Sequence, residues 1–235
     1  MHNLQIELRK LAKPEKIPIY RNFFKTGEGE YGEGDEFIGV TVPDSRKVAK
    51  ANVDISYEDL VHIIKSRIHE DRLCSLIILV NKFEKAKTEQ EKKRVVDFYI
   101  KYHLYGNNWD LVDTVSGNIL GPWLINRDKS LLYEYAYSSN LWERRIAILT
   151  TFYFIKQRKF EDTIKISEKL LNDRHDLIHK AVGWMLREMG KQEQQKLINF
   201  LDKHYKTMPR TMLRYSIERL PEQTRKDYLA KNKNS

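Results

Sequence analysis

The sequence predicts an all-α protein, a superhelical stack of antiparallel helical hairpins. Three observations predict it. Pro and Gly are sparse, 6 and 10 in 235 residues, and they sit at segment boundaries, where they punctuate helices rather than break them. Fourteen segments carry apolar residues at helical spacing, as in Leu60, Ile63, Ile64 and Ile68. A fixed register then relates the later segments. Arg72, Asn108, Arg144 and Lys180 stand 36 residues apart, Leu76, Val112, Ile148 and Trp184 follow the same step, and so do Leu141, Leu177 and Leu213. A period of this size suggests stacked hairpins, each giving one equivalent helix to a shared surface. The expected architecture is a HEAT-like α-α solenoid with a short repeat.

The elements follow in order. Helices are expected over 3–11 and 15–25, the second opened by Pro14, where a missing N–H does no harm. Residues 26–35 hold four glycines and four acids and read as a turn. Without a Lys or a preceding strand they do not read as a phosphate loop. A short alternation at Phe37–Val42 is ambiguous between strand and helix. Pro43 opens a helix over 44–51, and helices follow over 56–67, 70–86 and 89–103. Asn107, Asp128, Asn140 and Asp173 are the expected N-caps of helices over 108–125, 129–138, 141–157 and 175–189. A helix over 160–171 joins the last two. Helices over 193–204, 209–218 and 221–231 complete the chain, with Pro209 and Pro221 at the last two starts. No second domain boundary is evident, so 1–235 reads as one domain.

Apolar content of 41% and charged content of 32% fit a globular protein with a heavily solvated surface. The longest apolar run, Leu76–Val80, is too short to span a membrane, so no membrane association is expected. No secretory signal is visible. Cys74 is the only cysteine, which excludes an internal disulfide framework and makes a reduced cytoplasmic setting the default. The net charge of +9 lies wholly in the C-terminal part: residues 141–235 hold 21 basic and 12 acidic groups. A localised basic surface is the footprint of a polyanion.

Three stretches could carry chemistry: Asn107–Asp113, Leu141–Ala147 and Lys180–Trp184. The 36-residue step makes Trp109, Arg145 and Ala181 equivalent. Asp113 lies four residues after Trp109 and Trp184 three after Ala181, and both offsets return to the same helix face. One stripe would then hold two indoles, a carboxylate and a guanidinium, a set that can grip a cationic, phosphate-bearing ligand. With Asn107 as cap, Asp110 falls at the third helical position, where a carboxylate bonds back to the cap. Asp113 lies a turn further in, where an Asp is unfavourable by propensity and should face solvent or a ligand. Arg144 and Arg145 oppose the dipole near a helix start, so helix stability does not explain them, and a phosphate would. Lys180, Arg187 and Arg214 extend the basic track. Trp142 reads as core. His175 and His179 have i, i+4 spacing, but no third ligand is evident, and neither a metal nor a cofactor is expected.

With these residues the chain resembles the AlkD-type DNA alkylation-repair glycosylases. The resemblance rests on W-D-x-V-D at Trp109–Asp113, W-x-x-R-x-A at Trp142–Ala147, A-x-G-W-x-L-R-E at Ala181–Glu188 and the turn Gly39–Arg46. It covers most of the chain. It implies an all-helical HEAT-like fold and a DNA glycosylase of base excision repair. Such an enzyme hydrolyses the N-glycosidic bond of cationic alkylpurines, chiefly N3-methyladenine and N7-methylguanine, in double-stranded DNA. It implies that Asp113 is the catalytic carboxylate, that Trp109 and Trp184 contact the lesion and that Arg145 contacts phosphate. Tyr20 stands where a tyrosine approaches the DNA backbone. A monomer without an obligate protein partner, in the cytoplasm with the nucleoid, is expected. The alternative is a non-catalytic HEAT-repeat protein that senses DNA structure or serves as a scaffold.

Overall fold

The computed structural model describes residues 2–232. Among them are fourteen α-helices and no strand, and the class is an all-α helical repeat. Each of the fourteen expected segments is a helix, and most boundaries move by one or two residues. The chain separates into two compact units, 1–115 and 116–235.

The first unit begins with α1 (Asn3–Lys10), a single 3-10 turn at Pro14–Lys16 and α2 (Ile17–Phe23). Helices α3 (Val42–Ala51), α4 (Tyr57–Ile64), α5 (His69–Lys85) and α6 (Glu89–Tyr102) follow. Helix α5 is the axis: α1, α3, α4 and α6 all pack against it. Its stretch Leu73–Val80 is buried on every side, which is why it reads as a run rather than a stripe. Cys74 lies inside this core, with its Sγ 3.7 Å from the Ser45 carbonyl.

The head of α5 is buried too, although it reads His69-Glu70-Asp71-Arg72. Each of these side chains is met by partners from distant sequence. Asp71 takes both Arg9 guanidinium nitrogens, at 2.9 and 3.0 Å, and the hydroxyl of Ser66 at 2.8 Å. Glu70 accepts the backbone N–H groups of Ile38, Gly39 and Val40 at 2.8–3.2 Å. That resolves the ambiguity at Phe37–Val42. Val42 opens α3, and residues 37–41 lie in neither helix nor strand; the isolated bridge Glu36 to Ile68 stands just before them, and a carboxylate takes the amides of Ile38, Gly39 and Val40 in place of a neighbouring strand. Gly39 is required there. Its φ is +82°, and a Cβ would stand 2.1 Å from the Lys13 carbonyl oxygen.

Helix α7 (Trp109–Leu124) begins in the first unit and ends in the second. The second unit continues with α8 (Ser130–Tyr137), α9 (Leu141–Lys156), α10 (Glu161–Lys169), α11 (Asp176–Gln192), α12 (Gln194–His204), α13 (Arg210–Ile217) and α14 (Glu222–Lys231). Helix α9 packs on α8, α10 and α11, and α11 on α10, α12 and α13. Asn140 caps α9 as expected, its Oδ1 accepting from the Trp142 and Glu143 N–H groups. For α11 the cap is His175 rather than Asp173. The imidazole Nδ1 accepts from Leu177 N–H, and Asp173 instead holds the N–H of His175.

The repeat is less regular than a 36-residue step. Helix α9 starts 32 residues after α7, and α11 starts 35 after α9. Counted from the helix starts, Trp109 is first in its helix, Arg145 is fifth and Ala181 sixth, so the equivalence expected of these three does not hold. The fifth positions are Asp113, Arg145, Lys180 and Arg214. The equivalence fails because the link through α8 is shorter than the later one through α10.

Gly183 of α11 shows how closely α11 and α13 approach. A Cβ there would lie 2.5 Å from the Tyr215 Cβ and 2.6 Å from the Met212 carbonyl oxygen. The second of these is backbone and cannot swing aside. Gly183→Ala should therefore destabilise the protein by about 1–3 kcal/mol despite the better helix propensity of Ala. Urea unfolding checks this, and a variant as stable as the wild type would show that the helices separate without cost.

Candidate nucleic-acid interface

The start of α7 is built by residues far apart in sequence. Asn108, fully buried, is the cap: its Oδ1 accepts from Trp109 N–H and its backbone carbonyl from Val112 N–H. The expected cap, Asn107, is engaged elsewhere, accepting from Arg72 Nη2 at 3.0 Å and donating to Asp35 Oδ1 at 3.1 Å. The Asn108 amide also donates to the Phe24 carbonyl at 3.2 Å, which fastens the end of α2 to the first turn of α7. Trp109, half-buried, stacks on Phe24 with centroids 5.4 Å apart and meets the edge of Phe23 at 5.5 Å. Tyr20 packs edge-on against Phe24 and Phe37.

Asp110 is second in the helix and does not bond back to its cap. Its Oδ2 lies 2.9 Å from Nε2 of His69, whose Nδ1 lies 2.9 Å from Asp35 Oδ2. Asp35 also accepts from Arg72 Nη2 at 2.6 Å. Two carboxylates, an imidazole and a guanidinium thus form one buried chain. Burial opposes a charge on His69, but Asp110 and Asp35 outweigh it and push its pKa up to about 9. Burial likewise works against the Asp35 charge, and His69 and Arg72 overcome it, leaving its pKa below the usual carboxylate range. Sequence reasoning missed His69 and Asp35. The available signal was a four-residue polar run standing directly before the apolar stretch Leu73–Val80, which only Ser75 interrupts.

Asp113 stands one turn beyond Trp109 on α7, half-buried. Of the two carboxylates in the W-D-x-V-D stretch, Asp110 is therefore the one fixed to the His69 chain.

The second unit holds the other residues singled out by sequence. Arg145 is buried at 5% exposure and donates from Nη1 to the Leu177 carbonyl at 2.6 Å, so it ties α9 to α11. Arg144 donates from Nε to Asp173 at 2.6 Å and from Nη1 to the carbonyls of Ser138 and Ser139. Lys180 pairs with Asp176 at 2.6 Å, and Arg187 pairs with Glu218 and Glu188. Trp184 meets Phe152 at 5.8 Å. Trp142 is core, as expected. His179 Nε2 contacts the Asp173 carbonyl at 2.6 Å, so both histidines of the i, i+4 pair serve the turn before α11. A cleft of about 600 Å³ in this unit is lined by Asp176, Lys180, Thr211, Arg214, Tyr215 and Arg225.

The family model described as DNA alkylation repair enzyme matches residues 4–220. The chain belongs to the DNA alkylation repair enzyme family. Membership supports a DNA-repair role and an enzyme, and it suggests DNA binding. Among solved structures, the chain is similar to a predicted DNA alkylation repair enzyme from Enterococcus faecalis. The two share 16% identity, with 90% of this chain and 97% of that chain covered and a TM-score of 0.69. At that identity the likeness concerns the fold. No curated protein matches the chain.

In this family member the His69 chain sets a pH dependence of stability. The folded-state pKa of about 9 lies above the ordinary 6.5. The contribution is therefore complete below pH 6.5 and is lost as pH rises through about 9. The wild-type urea midpoint should fall from pH 7 to 9. His69→Gln should be less stable at pH 6.5 by about 3 kcal/mol and flatter over the same window. Equal slopes in the two proteins would mean that His69 is neutral in the fold.

Proposed function

We propose that this protein is a DNA glycosylase that releases positively charged alkylpurines, N3-methyladenine and N7-methylguanine, from double-stranded DNA in base excision repair. Membership in a DNA alkylation repair family supports the setting. The observation that carries the chemistry is the arrangement at the head of α7. An indole half-open to solvent is braced on Phe23 and Phe24, and a half-buried carboxylate follows one turn later on the same helix.

An alkylated purine already bears a positive charge and leaves without being protonated. The glycosidic electron pair goes to the base, and the deoxyribose develops oxocarbenium character, as in other glycoside cleavage. Asp113 stabilises that charge and orients the water that adds to the sugar, releasing one proton. The faces of Trp109 and Trp184 stabilise the cationic lesion and sugar. Arg145 holds a phosphate, with Arg144, Lys180, Arg187 and Tyr20 contributing to the backbone contact. A general acid is not part of this scheme. Asp110, bonded to the protonated His69, has a structural task.

Asp113→Asn keeps the shape and removes the charge. Single-turnover release of N7-methylguanine from methylated duplex DNA should fall by about two to three orders of magnitude, with DNA affinity intact or higher. Unchanged excision by that variant would remove Asp113 from the mechanism. Selectivity provides a separate check. Neutral lesions such as uracil and hypoxanthine leave poorly unless protonated, so duplexes carrying them should persist under conditions that clear the cationic ones. Efficient uracil release by the purified protein would require a proton donor and a different mechanism.

A further inference from the structure

The cleft of about 600 Å³ in the second unit lies between α11, α13 and α14, and its walls are fixed to one another. Arg210 donates from Nη1 to the Leu229 carbonyl at 2.6 Å, which ties the start of α13 to α14. On the other side Asp176 of α11 is held by Lys180 at 2.6 Å and by the hydroxyl of Thr211 on α13. Arg214 from α13 and Arg225 from α14 both line the space, and both are exposed.

Residues 172–231 include every helix that lines the cleft and hold thirteen bases against eight acids. All eight acids are engaged. The two in the cleft, Asp176 and Glu218, pair with Lys180 and Arg187. Each of the other six meets a base, a tyrosine hydroxyl or a side-chain amide. Among the described residues, no acid pairs with Arg214 or Arg225. Two guanidinium groups lining one cleft repel each other, and an anion between them removes that cost. Each guanidinium can fork onto two oxygens, so a carboxylate serves one of them and a phosphate can serve both. Position then selects the source of the phosphate. Arg214 is the fifth residue of α13, as Lys180 is of α11 and Arg145 of α9, so the cleft ends the row of cations assigned above to the DNA backbone.

We infer that Arg214 and Arg225 clamp one backbone phosphate of the flanking duplex, a helix beyond α11 with its Trp184 and Lys180. Packed helices stand about 8–10 Å apart, so the clamp extends the contact along the duplex by about three base pairs. This rests on the DNA reading proposed above and is independent of base release. Both side chains are exposed, so replacing them leaves the core untouched.

The test measures binding to a series of fluorescein-labelled duplexes with a central tetrahydrofuran abasic analogue, lengthened on each side by about three base pairs at a time. At one step of the series the wild type should gain about tenfold in affinity. Arg214→Gln/Arg225→Gln should lose that step and keep the wild-type affinity for shorter duplexes and the wild-type melting temperature. On the longest duplex its slope of log affinity against log salt should be shallower by about 0.9, the value of one phosphate. Arg214→Lys/Arg225→Lys should restore the slope but only part of the affinity, because lysine cannot fork. Arg219→Gln/Lys231→Gln removes the same charge beside the cleft and should keep the step. A step retained by the Arg214→Gln/Arg225→Gln protein, or absent from the wild type, overturns the inference. Loss of the step in the Arg219→Gln/Lys231→Gln protein also overturns it, since a general field would then account for the gain. Titration with inorganic phosphate examines the other source: wild-type binding that the Arg214→Gln/Arg225→Gln protein lacks, with the step intact in both, makes the cleft a site for a free phosphorylated ligand and overturns the DNA clamp. Failure to bind any duplex refutes the DNA reading and the clamp with it. Binding with the expected step but without base release refutes only the glycosylase reading.

Discussion

The arrangement around Trp109 depends on a charge held inside the protein. His69 lies between Asp35 and Asp110, each 2.9 Å away, and Arg72 closes the chain through Asp35. A buried carboxylate without a partner is expensive, and removing one member of such a set typically costs about 3–5 kcal/mol. Here the four members come from three places: Asp35 from the end of the Gly-rich loop, His69 and Arg72 from the head of α5, and Asp110 from the first turn of α7. The set therefore fixes three segments to one another in a way that apolar contacts, which tolerate sliding, would not. Phe24 and Phe37 pack on the imidazole at 4.9 and 4.7 Å, so the aromatic floor beneath Trp109 rests on the same residue.

The helices were legible because their signals are local. Apolar spacing and Pro placement identified all fourteen segments, and Asn140 caps α9 as its position suggests. The 36-residue step was less secure. It matches α9 and α11 closely but overshoots the interval from α7 to α9, since it was anchored on residue types and not on helix starts. The stretch Phe37–Val42 was ambiguous for a related reason. Its hydrogen-bonding partner is the side chain of Glu70, and no local pattern announces that.

For the candidate site, what was legible follows the same division. Asp113 stood out because an Asp one turn inside a helix lacks a local explanation. Asp110 had one, the cap, and that explanation was incorrect: the helix starts one residue later than Asn107 would set it, and the carboxylate turns to His69. Its partners lie 41 and, through His69 to Asp35, a further 34 positions away. Contacts at such separations leave a trace only as a polar run in an unexpected place, here His69–Arg72 at the head of a buried helix. The same holds for Arg145, whose bond to the Leu177 carbonyl gives it a packing task beside any contact with phosphate.

Glu70 gives the first unit a further property. Its carboxylate gathers the amides of Ile38, Gly39 and Val40, residues that lie in neither helix nor strand. A segment of this kind would ordinarily exchange its amide protons with solvent as fast as any surface loop. Here the amides are released only if the head of α5 moves, and that head is seated in the core by Arg9, Ser66 and Asp35. Opening of the segment is thus tied to opening of the unit as a whole, and its amides should exchange at the rate of the slowest helical ones. The chain between α2 and α3 looks irregular in outline, yet by this measure part of it belongs to the most cooperative portion of the molecule.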